Sequence, residues 1–234
     1  MISSKTPWFG QTSIRTCSVI LTLWLLLACS AAVAFNFPSW ISARETTGPV
    51  PADWIQQAHA VFSFLKWQGA LSTEFTSDEI SHMHDVRRLM TTLLGIEALL
   101  TIALVVIGFK LQMNQQMNQR KNQQINRRFL QSILMRTGLA LVCIVALLAI
   151  LPFDALFAMF HKVFFPQGNW MFAADSMLIT LFPSTFFASL TLRIGVYAAI
   201  SGLACIVVAL KKSFKNRLSR SERLLIVLNM VKIV

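Results

Sequence analysis

The sequence predicts an all-α integral membrane protein: a bundle of four transmembrane helices with an outward-facing helical cap built from two outer loops. Three observations carry that reading. Hydrophobic residues make up 55% of the 234-residue chain and charged residues only 13%, a balance typical of membrane chains and not of soluble domains. Four apolar runs, residues 18–37, 89–109, 137–160 and 184–210, each reach the roughly 20 residues that a helix needs to cross hydrocarbon. Basic residues, finally, are spread unevenly over the connections.

That unevenness sets the topology. Residues 111–136 carry Arg120, Lys121, Arg127, Arg128 and Arg136 with no acidic side chain. The tail after Leu210 carries seven basic residues and one acidic, whereas residues 38–86 hold two basic and six acidic. By the positive-inside rule, segments 1–17, 110–136 and 211–234 are expected to be cytoplasmic, and loops 38–88 and 161–183 to face outward. Arg87 and Arg88 stand on the outer side, against the rule. The formal charge of +11 therefore reads as topology and contact with anionic lipid, and no nucleic-acid partner is expected. Cys17, Cys29, Cys143 and Cys205 all lie in or at the edge of spans. The outer loops thus offer no disulfide framework and no thiol for a disulfide-forming oxidoreductase.

The elements follow in order. Arg15 ahead of the first apolar run, "AVA" at 32–34 and "LLAC" at 26–29 have the look of signal and lipoprotein-box cleavage sites. The run is longer than a signal core of about 7–15 residues, so the first span is expected to be retained. In the first outer loop, "DWIQQAHAVFSFLKWQGAL" from Asp53 places Trp54, Ala58, Val61, Phe62 and Leu65 near helical spacing. It is expected to form an amphipathic helix on the membrane face, with Trp54 and Trp67 at the interface. "TSDE" at 76–79 is a capping-box pattern. No proline follows before Lys110, so one helix is expected to run unbroken into the second span. On it Glu79, His82 and Asp85 share a face, while His84 points toward Arg87 and Arg88. The Gln/Asn-rich 111–128 reads as a solvated connector or a helical extension. Pro152 is expected to kink the third span, which leads to His161 near the outer surface. Pro183 separates a short interfacial helix from the fourth span. The apolar end of the tail is too short to cross.

Depth adds one expectation. Counted from the outer edge at about 1.5 Å per residue, Glu97, Asp154 and Arg193 lie at similar levels. Ionisable groups within spans usually face inward and pair, so these three are expected to form a buried polar cluster.

His59 and His84 read as solvated interfacial side chains. His82 and His161 belong to different outer segments at similar height, and each has an acidic neighbour. A neutral imidazole oriented by a carboxylate is a usable general base near neutral pH. No hydroxyl or thiol stands in a nucleophile motif, so an enzyme of this kind would act on a substrate that brings its own nucleophile. A metal site from His82, His84, His161, Glu79 and Asp85 is the chemical rival. His82 and His84 are about 200° apart on a helix, however, and no H-E-x-x-H pattern is present. Haem would need ligands deeper in the bundle. No cofactor is expected.

Two stretches resemble a known family. "EISHMHDVRR" at 79–88 is similar to an E-x-x-H-M-x-D-V-K motif, with Arg87 in place of the lysine. "FHKVFFPQGNWMFAADSMLITLFPSTFF" at 160–187 is similar to a second motif of Phe-His, Phe-Phe, Trp, Asp and Pro-x-x-Phe-Phe. Together with four spans and a long first outer loop, they resemble the bacterial lipoprotein intramolecular transacylases. That resemblance implies an acyltransferase at the outer face of the cytoplasmic membrane. It would move the sn-2 acyl chain of a diacylglyceryl lipoprotein from glycerol oxygen to the α-amine of the N-terminal cysteine, leaving a lyso-form product. It implies His82 and His161 as base or proton shuttle, Glu79 and Asp85 as orienters of His82, Trp170 and Asp175 as shapers of the wall, and Asp154 as support from below. The partners implied are the lipoprotein and membrane lipid, with no obligate protein partner. A non-enzymatic scaffold or lipid-binding accessory protein, and a metal-dependent membrane hydrolase, are the competing functions.

Overall fold

The computed structural model describes residues 11–35, 53–117 and 119–231, with side chains over 11–34, 53–113 and 126–211. The proline-rich start of the first outer loop, the side chains of 114–125 and those of the basic tail lie outside the described residues. Among the described residues there are seven helices and no strands: α1 (Gln11–Phe35), α2 (Trp54–Leu65), α3 (Ser77–Met117), α4 (Gln119–Ala149), α5 (Phe153–Phe164), α6 (Met177–Leu181) and α7 (Ser184–Val231). Four of them contain stretches long and apolar enough to cross a membrane: Gln11–Ala34, Ser77–Met113, Asn126–Ala149 and Ser184–Lys211.

The capping box forms as the sequence predicts. The Thr76 hydroxyl accepts from the Glu79 N–H at 3.3 Å, and the Glu79 carboxylate accepts from the Thr76 N–H at 2.8 Å. With both orphan groups satisfied and no proline to interrupt it, α3 continues for 41 residues. At 1.5 Å per residue that is about 61 Å, twice the roughly 30 Å of a hydrocarbon core. The apolar run 89–109 is by itself long enough to cross such a core without the polar first turns, Ser77 to Arg88. Pro152 does more than kink its helix. It cannot donate an N–H, so α4 stops at Ala149 and α5 starts afresh at Phe153 with Pro152 in the cap position. Pro183 separates the short α6 from α7.

The chain divides into two compact units, and the division falls within α1, α3, α4 and α7. One comprises residues up to Leu25, Leu100–Ile144 and those from Ala198 onward. Its packing rests on small residues. A Cβ on Gly138 would come within 2.6 Å of the Gly202 carbonyl oxygen, and one on Gly202 within 3.0 Å of the Gly138 oxygen. Close backbone approach of this kind is how helices associate in lipid, where apolar burial offers little drive. The fully buried Thr137 hydroxyl donates to the Ser18 carbonyl at 3.3 Å in the same unit.

The other unit comprises Leu26–Leu99 and Val145–Tyr197. Here an apolar core gathers Ala58, Val61, Phe62 and Phe64 of α2 with Met83 of α3 and Leu178, Leu181 and Phe182 around α6. The α2 helix is therefore not simply laid on a membrane face. One side of it is packed against α3 and α6, and this core holds the first turns of α3 in place.

Candidate functional site

Glu79 is buried in this second unit, at 1% exposure. One carboxylate oxygen accepts from the Thr76 N–H at 2.8 Å and the Thr76 hydroxyl at 2.9 Å. The other accepts from the Leu178 N–H at 2.8 Å. The carboxylate thus ties the start of α3 to the start of α6, where both helix dipoles favour negative charge. It makes no hydrogen bond to His82. The expectation that Glu79 orients that imidazole is corrected, because its oxygens are occupied by the backbone.

Asp85 is likewise engaged elsewhere. Its Oδ2 accepts from Gln167 Nε2 at 2.7 Å and from Asn169 Nδ2 at 2.8 Å, and Asn169 Nδ2 also lies 3.3 Å from the Ser81 hydroxyl. These bonds draw the loop after α5 onto α3. That loop turns at Gly168, whose φ of +80° suits a residue without a Cβ. Asp85 acts on His82 through its charge, not through a hydrogen bond. The fold therefore uses both acidic residues of the first motif to bring the second motif up to His82.

The two histidines meet. The His82 and His161 rings lie with centroids 5.9 Å apart and planes 28° from parallel. Both are buried. Aromatic rings enclose them: Phe165 lies 4.7 Å and Phe172 5.6 Å from His82, and Phe157 lies 4.0 Å and Trp170 4.8 Å from His161. His161 Nδ1 is 2.8 Å from the Phe157 carbonyl oxygen. A carbonyl only accepts, so Nδ1 carries the hydrogen and Nε2 of the neutral ring keeps its lone pair. His82 Nδ1 is buried with no hydrogen-bond partner among the described residues, a costly state for a polar nitrogen.

Electrostatics keep both rings neutral. Burial first, then the neighbouring His161, lowers the His82 pKa to about 4, against the weaker pull of Asn169 and Asp85. Burial lowers that of His161 as well, partly offset by the Phe157 carbonyl. Each uncharged imidazole keeps a lone pair that can take a proton, and burial makes it a weaker base and its imidazolium a stronger acid than an ordinary histidine.

The remaining expected residues divide. Trp170 reaches the site. Asp175 is exposed and makes no described contact with the pair. Asp154 sits in the first turn of α5, where its charge suits the helix dipole, with an exposed side chain. Arg193 is also exposed and Glu97 half-buried. Of the three residues expected to share a buried polar cluster, none is fully buried. His59 is exposed. His84 is exposed too, accepting at Nδ1 from Arg87 at 2.9 Å. Among the described residues, no group of three or more His, Cys, Asp or Glu side chains converges to hold a metal ion. Phe157, Phe165, Phe172, Gln167 and Asn169 join the site without having been singled out in the sequence. Phe165, Gln167, Asn169 and Phe172 lie within the second motif stretch at 160–187, and Phe157 stands one helical turn before His161.

Comparison with known proteins gives a family and a fold. A family profile described as lipoprotein intramolecular transacylase Lit matches residues 12–187. The structure is similar to the in meso structure of the membrane-integral lipoprotein intramolecular transacylase Lit from Bacillus cereus, with a TM-score of 0.60 at 16% identity over 89% of this chain and 100% of that one. It is similar also to two histidine variants of that protein. The arginine variant gives 0.61 at 17% identity over 92% and 98% of the two chains, and the alanine variant 0.61 at 16% over 92% and 100%. No curated protein matches the sequence.

Proposed function

The chain belongs to the lipoprotein intramolecular transacylase family, and from that premise we propose how its enzyme chemistry is done: His82 and His161 act together as the base and proton shuttle. The acyl donor is the sn-2 ester of a diacylglyceryl lipoprotein at the outer face of the bacterial cytoplasmic membrane, and the acceptor is the α-amine of its own N-terminal cysteine. The observation that carries this reading is the pair of buried, neutral imidazoles 5.9 Å apart inside an aromatic enclosure.

The step balances without a cofactor. The amine nitrogen attacks the ester carbonyl carbon and gives up a proton to an imidazole nitrogen. The carbon–oxygen bond to glycerol then breaks, and the imidazolium returns the proton to the departing oxygen. An amide forms, an ester is lost, and the product is an N-acylated lyso-form lipoprotein. His161 Nε2 is suited to take the proton, because the Phe157 carbonyl fixes the hydrogen on Nδ1. His82, with its unpartnered Nδ1, is suited to relay the proton or to hold the amine. Amine and ester arrive on one molecule, so the enzyme need only fold the substrate back on itself, and the entropic barrier falls accordingly.

The test is a mass spectrum of lipoprotein N-termini from cells carrying the unchanged chain, His82→Ala or His161→Ala. The lyso-form should dominate with the unchanged chain and fall by at least about 100-fold with either variant, while both variants remain in the membrane. Full conversion by both variants would refute the assignment.

A further inference from the structure

On the other side of α3 from His82 lies a second built feature that the reaction does not use. A groove of about 280 Å³ is lined by Trp67, His84, Arg87, Arg88, Thr91 and Thr92. No acidic side chain lines it. Arg87 and Arg88 are adjacent charges that stand on the outer side, against the positive-inside rule, and the proposed chemistry leaves them unexplained.

The groove is held in shape from several directions. The Arg87 guanidinium carbon sits 3.9 Å from the Trp67 ring centroid and 4.1 Å from that of Phe64. Trp67 adopts a φ of +63°, which a bulky side chain holds only under constraint. Its indole N–H donates to the Thr91 hydroxyl at 3.1 Å, and that hydroxyl donates to the Arg87 carbonyl at 2.8 Å. Arg87 donates to His84 Nδ1. Since a guanidinium only donates, the His84 ring hydrogen is on Nε2. The groove therefore presents two guanidiniums and an imidazole N–H, all of them donors. Below it on the same face come Gly95, with open space where a Cβ would be, and the exposed Ile96 and Leu99.

Donors above an uncovered apolar stripe, at the level where hydrocarbon begins, match a phosphodiester headgroup above its acyl chains. We propose that His84, Arg87 and Arg88, walled by Trp67, bind the headgroup phosphate of an anionic phospholipid. Arginine suits this place better than lysine would. Its plane stacks between the two rings and still leaves N–H groups for phosphate oxygens.

The full chain in detergent micelles would be titrated with phosphatidylglycerol, phosphatidylcholine or inorganic phosphate, and the retained molecules counted by native mass spectrometry. Phosphatidylglycerol should be retained in preference to phosphatidylcholine. Arg88→Gln, at an exposed side chain, should lower that retention by about fivefold, the worth of one interfacial charge. Arg128→Gln, in the basic loop, should leave the tightest-bound lipid in place. Equal losses in the two variants, or equal retention of both lipids, would overturn the proposal. Displacement of the lipid by millimolar inorganic phosphate would overturn the choice of a lipid ligand in favour of a free anion.

Discussion

The two faces of α3 at its first turns use similar residues for different ends. His82 and His84 are two positions apart. His82 is buried at 7% exposure against His161, Phe165 and Phe172, whereas His84 is exposed and hydrogen-bonded to Arg87. Asp85 is spent on holding a loop, Arg87 on stacking between rings. The residue type alone decides none of this. What decides is the element packed against each face: the second motif on one side, the end of α2 and the turn at Trp67 on the other.

The largest expected effect separates the two faces outright. His82→Ala or His161→Ala should each cost at least about 100-fold in lyso-form production, the usual scale of a lost acid–base group. The next concerns what holds the buried face together. Glu79→Ala strands the Leu178 and Thr76 N–H groups and should lower stability by about 2–4 kcal/mol, read as an earlier thermal unfolding of the purified chain. Unfolding unchanged from the parent would show that the carboxylate latch contributes nothing.

A third effect is one of pH. His82 binds its proton with a pKa of about 4 when folded, against 6.5 as the ordinary value. Between those values the unfolded chain holds more protons, so stability rises with pH there. It is complete above the upper value and lost as pH falls toward the lower, and His82→Phe should flatten that slope in a series of melting curves. Smaller again, Asn169→Ala removes one of the two hydrogen bonds to Asp85 and should reduce conversion by about three- to tenfold, the worth of one such bond. The smallest belongs to the exposed face: His84→Ala should leave conversion within about twofold, as surface changes usually do. A loss there as large as at His82 would erase the distinction between the faces.

Much of this was legible locally. The capping box at Thr76–Glu79 and the absence of proline up to Lys110 were enough to place a single long helix. The three-residue spacing put Glu79, His82 and Asp85 on one face. Pro152 and Pro183 marked real breaks. The family resemblance rested on the two motifs and is matched by the family profile. The partners of Glu79 and Asp85 were not legible, because Leu178, Gln167 and Asn169 come from more than 80 residues away and spacing carries no information about such pairings. Nor was the exposure of Asp154 and Arg193, since hydropathy measures depth and says nothing of azimuth.

The ring enclosure around His82 and His161 has a consequence for fidelity. A base able to activate an amine can equally activate water, and hydrolysis of the ester would release a free fatty acid and waste the substrate. Phe157, Phe165, Phe172 and Trp170 give the imidazoles an apolar lining that disfavours a competing water. On the proposed mechanism, those rings set the partition between transfer and hydrolysis, so opening the enclosure should turn the transacylase toward a lipase.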